Sequence, residues 1–92
     1  MSTYLMFGRY TMEAVKSISP KRTEKAIALV KQNGGEVTGG YAMLGKTDLL
    51  LIVNFPDLQS AMKTSVALTK LLAIAFVTQP AVSMAEFDKL LE

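Results

Sequence analysis

The spacing of apolar residues along the chain changes from segment to segment, and each change predicts an element. Thr3 to Tyr10 carries aromatic and aliphatic residues without helical spacing, which predicts a first strand with Leu5 and Phe7 on one face and Tyr4 and Met6 on the other. Thr11 caps a short helical turn from Met12 to Ser17, with Glu13 well placed for the helix dipole. From Pro20 the period becomes helical: Thr23, Ala26, Ile27 and Val30 recur at i, i+3, i+4 and i+7, predicting a helix to about Asn33 with that stripe against a sheet. Ser19 supplies its N-cap, Pro20 suits the first helical position, and Gly34-Gly35 ends it by offering a left-handed residue.

Two apolar runs of strand length follow, Val37 to Leu44 and Leu49 to Phe55, separated by Gly45-Lys46-Thr47-Asp48; they predict a β-hairpin, with a bulge or close backbone approach at Gly39-Gly40. Pro56-Asp57 opens a second helix in which Leu58, Ala61, Met62, Ser65, Leu68, Thr69 and Leu72 share a side. Ala73 to Thr78, closed by Pro80, predicts a fourth strand. Ser83 with Glu86 three residues on forms a capping box for a last short helix with Phe87, Leu90 and Leu91 on its apolar side.

Strand, helix, strand, strand, helix, strand is the α+β, ferredoxin-like βαββαβ order, an antiparallel sheet with helices on one face, here followed by a short C-terminal helix. Residues 1–92 are expected to form a single domain of this kind. Both alternating sets of the third strand are apolar, Leu49, Leu51 and Val53 on one side and Leu50 and Ile52 on the other, yet helices cover only one side. The second apolar face predicts a homo-oligomer, a dimer or an assembly of dimers.

Composition narrows the chemistry. Half the residues are apolar and a fifth are charged, which excludes disorder. Ten Lys and Arg against eight Asp and Glu leave +2, spread along the chain without the basic stripe of a nucleic-acid binder. The absence of cysteine and histidine removes disulfides, thiolate nucleophiles, the usual zinc sites and imidazole catalysis, so neither metal nor cofactor is expected. With no signal-peptide pattern and no spanning apolar run, a cytoplasmic location off the membrane is the default.

Leu44-Gly45-Lys46-Thr47-Asp48, entering a run of aliphatics, resembles the signature of the GYD-domain family, and so do Tyr10-Thr11, Pro20-Lys21-Arg22, Gly34-Gly35, Phe55-Pro56-Asp57, Thr78 to Val82 and Glu86-Phe87, in order over nearly the whole chain. One departure stands out: the tyrosine of the family's Gly-Tyr-Asp is here Thr47. The resemblance implies a ferredoxin-like protein similar to the dimeric α/β-barrel group, whose sheets pack face to face. It carries no established activity; the wider group includes cofactor-free oxygenases, isomerases and ligand-sensing domains.

Four polar residues are candidates for a ligand site: Arg22, Asp48, Tyr41 and Arg9. Arg22 is a cation beside a helix N-terminus, where the dipole disfavours it, so it is expected either to pair with Asp48 or Glu24 or to hold an anion. Asp48 either satisfies turn amides or faces a ligand. Tyr10 and Tyr41 read as amphipathic rings with surface hydroxyls, and Arg9 as a strand-end charge. Arg22 and Asp48 are expected at one end of the sheet, lining a polar cavity with Tyr41 or Arg9 nearby. The leading functional expectation is a self-associating small-molecule-binding or regulatory domain. The alternatives are a cofactor-free enzyme, with Arg22 or Arg9 holding an anionic group and Asp48 or Tyr41 moving a proton, and a purely structural oligomer.

Overall fold

A computed structural model describes residues 1–92. The elements are β1 (Ser2–Tyr10), α1 (Met12–Lys16), α2 (Pro20–Gln32), β2 (Glu36–Ala42), β3 (Leu49–Phe55), α3 (Leu58–Leu72), β4 (Ile74–Ala81) and α4 (Met84–Leu90). The strands form one sheet in the order β2-β3-β1-β4, every neighbouring pair antiparallel, which is the ferredoxin-like topology. β4 is an edge strand, so Pro80, lacking an N–H, sits within it without breaking a ladder on both sides.

Alternation along β1 and β3 divides the sheet as its sequence implies. Tyr4, Met6, Leu51, Val53 and Phe55 are buried beneath α2 and α3 with Val30, Ala61, Leu68 and Ile74. Leu5, Phe7, Leu50 and Ile52 lie on the other face, half-buried and covered by no helix, next to an exposed Val77. The bulge falls between Val37 and Gly39, one residue earlier than Gly39-Gly40.

The caps follow the sequence closely. The Thr11, Ser19, Asp57 and Ser83 side chains each accept a first-turn amide hydrogen bond. Glu86 donates its amide to Ser83 Oγ at 3.1 Å, so the serine half of the box is formed. At the end of α2, Gly34 takes φ +84° and donates to the Lys31 carbonyl, while Gly35 donates to that of Val30 at 2.9 Å; together they close a Schellman motif. α3 ends without glycine: Ala73 itself adopts φ 57°, and its carbonyl accepts from Thr11 Oγ1 at 2.7 Å.

Two helix faces are rotated from expectation. On α2 the buried residues are Ala26 and Val30, with Leu29 and Arg22 half-buried, while Thr23 and Ile27 are exposed. On α3 the buried residues are Ala61, Thr64, Leu68 and Leu72, whereas Leu58 and Met62 face outward. The apolar stripe on each helix is wider than the area of sheet it can cover, so one edge of each stripe overhangs a groove. No helix is long and apolar enough to cross a membrane.

Candidate functional site

The overhang of α2 shapes a groove of about 500 Å³ between that helix and strands β2 and β3. Its walls are mostly apolar, with Ile18, Ala26 and Ile27 on the helix side and Val37, Leu49 and Leu51 on the sheet. Gly40 leaves the groove open: it pairs with Leu51 on the helix-covered face and brings no side chain to fill the space. Volume and lining match the usual small-molecule pocket, which is chiefly apolar with a few fixed polar groups.

The polar groups gather where β1 runs into α1. Tyr10, the last residue of β1, is on the helix-covered face, and the Arg22 guanidinium lies over its ring with 5.0 Å to the centroid, a cation–π distance. Arg22 Nη1 also donates to the Ala14 carbonyl near the end of α1. Ring and carbonyl hold the guanidinium in place beside the groove, where Ser19 and Thr23 add hydroxyls. Lys21 and Lys25 flank Arg22 on the far side, in a second, polar hollow of about 270 Å³. No carboxylate lines either space.

Asp48 reaches the same end of the sheet by another route. Its Oδ2 accepts from the Tyr10 amide at 2.8 Å, its own amide donates to the Gly8 carbonyl at 2.8 Å, and its carbonyl accepts from the Met43 amide at 2.8 Å. The carboxylate thus ties the β2–β3 loop to the end of β1, a cross-strand clasp instead of the expected local turn cap. Arg22 and Asp48 therefore converge on Tyr10, from its ring and its backbone respectively, without pairing with each other. The expected Arg22–Asp48 or Arg22–Glu24 ion pair is corrected on this point: an aromatic face and a carbonyl stabilise the cation in its place. Asp48 is also absent from the groove wall.

The other two candidates separate. Arg9 pairs with Ala75 and is exposed on the opposite face of the sheet, as its parity with Leu5 and Phe7 requires. Tyr41, 62% exposed on the edge strand, borders the groove although its register partner, Leu50, belongs to the uncovered face. Sequence reasoning missed the Tyr10 ring and the Ala14 carbonyl as the seat of Arg22. The even spacing of Tyr4, Met6, Gly8 and Tyr10 carried the signal for the ring. No group of three or more His, Cys, Asp and Glu is arranged to hold a metal.

Comparison with known proteins gives a family and a fold. The family model described as GYD domain matches residues 4–91. No curated protein matches the chain. Among solved structures, the leucine response regulatory protein of Mycobacterium tuberculosis aligns with 90% of this chain and 51% of its own at 10% identity and a TM-score of 0.60. An AsnC family transcriptional regulator from Agrobacterium tumefaciens aligns with 89% of this chain and 50% of its own at 22% identity and a TM-score of 0.59. The chain spans about half the length of these neighbours, and at such identities the likeness is one of fold.

Proposed function

The chain belongs to the GYD-domain family, and from that premise we propose that it is a self-associating, small-molecule-binding domain of regulatory type whose ligand is a small organic anion with an apolar body. The observation that carries this is the state of Arg22: a guanidinium fixed by the Tyr10 ring and the Ala14 carbonyl, facing no carboxylate, at the side of an apolar groove. A guanidinium presents five donors in a planar fork, and the Ala14 carbonyl engages one nitrogen. The rest suit a carboxylate or phosphate, while Ile27, Val37 and Leu49 suit the hydrophobic remainder of the ligand. Regulators with this fold among the structural neighbours agree with the binding role.

Self-association rests on the uncovered sheet face. Leu5, Phe7, Leu50 and Ile52 would be covered by a second copy packed sheet to sheet, on the side away from the groove, leaving the ligand site open in the assembly. The enzymatic alternative loses its carboxylate, because Asp48 is committed to the Tyr10 amide and no carboxylate lines the groove, which leaves the Tyr41 hydroxyl as its proton-moving group.

Thermal-shift screening of small carboxylates and phosphates tests the site. A ligand at a hundred times its Kd stabilises by about 2.7 kcal/mol, and that increment should vanish in Arg22→Ala and shrink in Arg22→Lys. Equal ligand-induced shifts in wild type and Arg22→Ala would overturn the assignment, whatever the substitution does to baseline stability.

A further inference from the structure

A second groove, of about 250 Å³, lies on the other flank of the domain between α3 and β4. Leu58, Met62 and Val66, at i, i+4 and i+8 of α3, form one wall; all three are more than half exposed. Phe76 and Pro80 of the β4 edge form the other. The space is mostly apolar, with the hydroxyls of Ser65 and Thr78 bonded to each other at 2.6 Å, and it is many times the volume a single water takes up, about 30 Å³.

The same chain carries an apolar projection with nothing to pack on. In α4, which begins three residues after β4 ends, every residue is exposed; Phe87 and Leu90 stand 52% and 74% accessible, and Leu91 at its C-cap 71%. Bundling α4 with the rest would shorten the molecule. Instead the domain extends 49 Å along its longest axis, with a radius of gyration of 13.7 Å against about 12 Å for a compact chain of this length. Charge adds a second match. Glu86, Asp88 and Glu92 outweigh Lys89 on the arm, while Lys63 and Lys70 are the only charged residues within α3, lying outside the groove lining, with Asp57 at the helix N-cap.

We propose that α4 is an exchanged arm: its Phe87–Leu90–Leu91 side docks in the α3/β4 groove of a second copy of the chain, acidic arm against basic helix. Reciprocal exchange uses the same two patches on both copies and so closes on a two-fold axis. The interface is separate from the uncovered sheet face, and a chain using both contacts associates as dimers of dimers.

The absence of cysteine from these 92 residues allows a direct test on the whole chain. Met62→Cys and Phe87→Cys are made in separate chains carrying tags of different size, mixed, and oxidised. A disulfide-linked mixed dimer is expected, since such a bridge forms only between copies. The double variant in one chain gives the opposing result its chance: a bridge confined to the monomer means that α4 folds back on its own groove, and no bridge in either experiment means that the groove is not its seat; either overturns the proposal. Sedimentation of a chain ending at Val82, which removes only exposed residues, is expected to give half the wild-type subunit number with the circular dichroism of the sheet retained. An unchanged subunit number also overturns it.

Discussion

Gly35→Ala isolates the close approach on which the junction of α2, β2 and β3 depends. A Cβ built on Gly35 would lie 2.6 Å from Cε1 and 2.7 Å from Cδ1 of Phe55, and 2.9 Å from Cγ1 of Val30. Carbon pairs prefer about 3.5–4.0 Å, so the methyl needs roughly 1 Å of room. Neither neighbour has room to yield, because Phe55 and Val30 are both 0% exposed at the centre of the core. Overpacking of this kind costs about 1–3 kcal/mol, and two immobile neighbours place Gly35→Ala near 3 kcal/mol. Gly34→Ala is the control: at φ +84° it suffers left-handed strain, but its Cβ would meet nothing nearer than Pro56 Cγ at 3.6 Å, so it should cost about 1 kcal/mol. Urea denaturation of both variants measures the difference. For a domain of this size each kcal/mol moves Tm by about 4–8 °C. A Gly35→Ala loss equal to or below that of Gly34→Ala would refute the steric account of the second glycine.

Three further outcomes are expected. Thr64 is 0% exposed and its Oγ1 has no hydrogen-bond partner, so Thr64→Val should stabilise the domain by about 1 kcal/mol; a loss would mean the hydroxyl is satisfied after all. Asp57 is held below its ordinary value of 3.8 first by the Ser60 amide donating to its carboxylate and then by the Ser60 side chain, so its contribution to stability is full above that value and fades as pH falls through the lowered one. Thermal melts between about pH 5 and pH 2 should therefore bring wild type and Asp57→Asn together, and parallel curves would contradict the cap's charge dependence. Ile52→Lys, on the uncovered face, should halve the subunit number seen by sedimentation at micromolar concentration without altering the circular dichroism spectrum; a monomeric wild type would remove the reason for the effect.

The fold was legible because period, caps and punctuation agreed. Ser19-Pro20, Gly34-Gly35 and Asp57 bound the helices where the structure does, and alternation in β1 and β3 assigned both sheet faces. What escaped depended on tertiary packing. α2 leaves Thr23 and Ile27 over a groove where β2 offers no side chain at Gly40 on the helix-covered face, and a helical stripe alone does not reveal what lies beneath it. Ala73 ends α3 in a conformation that favours glycine, with its carbonyl tied to Thr11 across 62 residues, so no local signal marked the boundary. At the site, Arg22 and Asp48 both meet Tyr10 at one end of the sheet, but only Arg22 borders the groove. The expected ion pair failed because a tyrosine ring and two backbone groups answered each charge separately.

The central claim is that Arg22 holds the anionic end of a ligand whose body lies in the α2/β2 groove. Calorimetric titration with straight-chain and arylalkyl carboxylates, each matched to its alcohol, tests it most directly on wild type, Arg22→Ala and the groove-filling Gly40→Val. A charge-assisted hydrogen bond contributes about 1.5–3 kcal/mol, so a carboxylate should bind wild type about 10- to 150-fold more tightly than it binds Arg22→Ala, and more tightly than its alcohol binds wild type, while Gly40→Val weakens carboxylate and alcohol alike. Binding of carboxylate and alcohol with equal affinity, or a carboxylate affinity untouched by the loss of Arg22, would contradict the account.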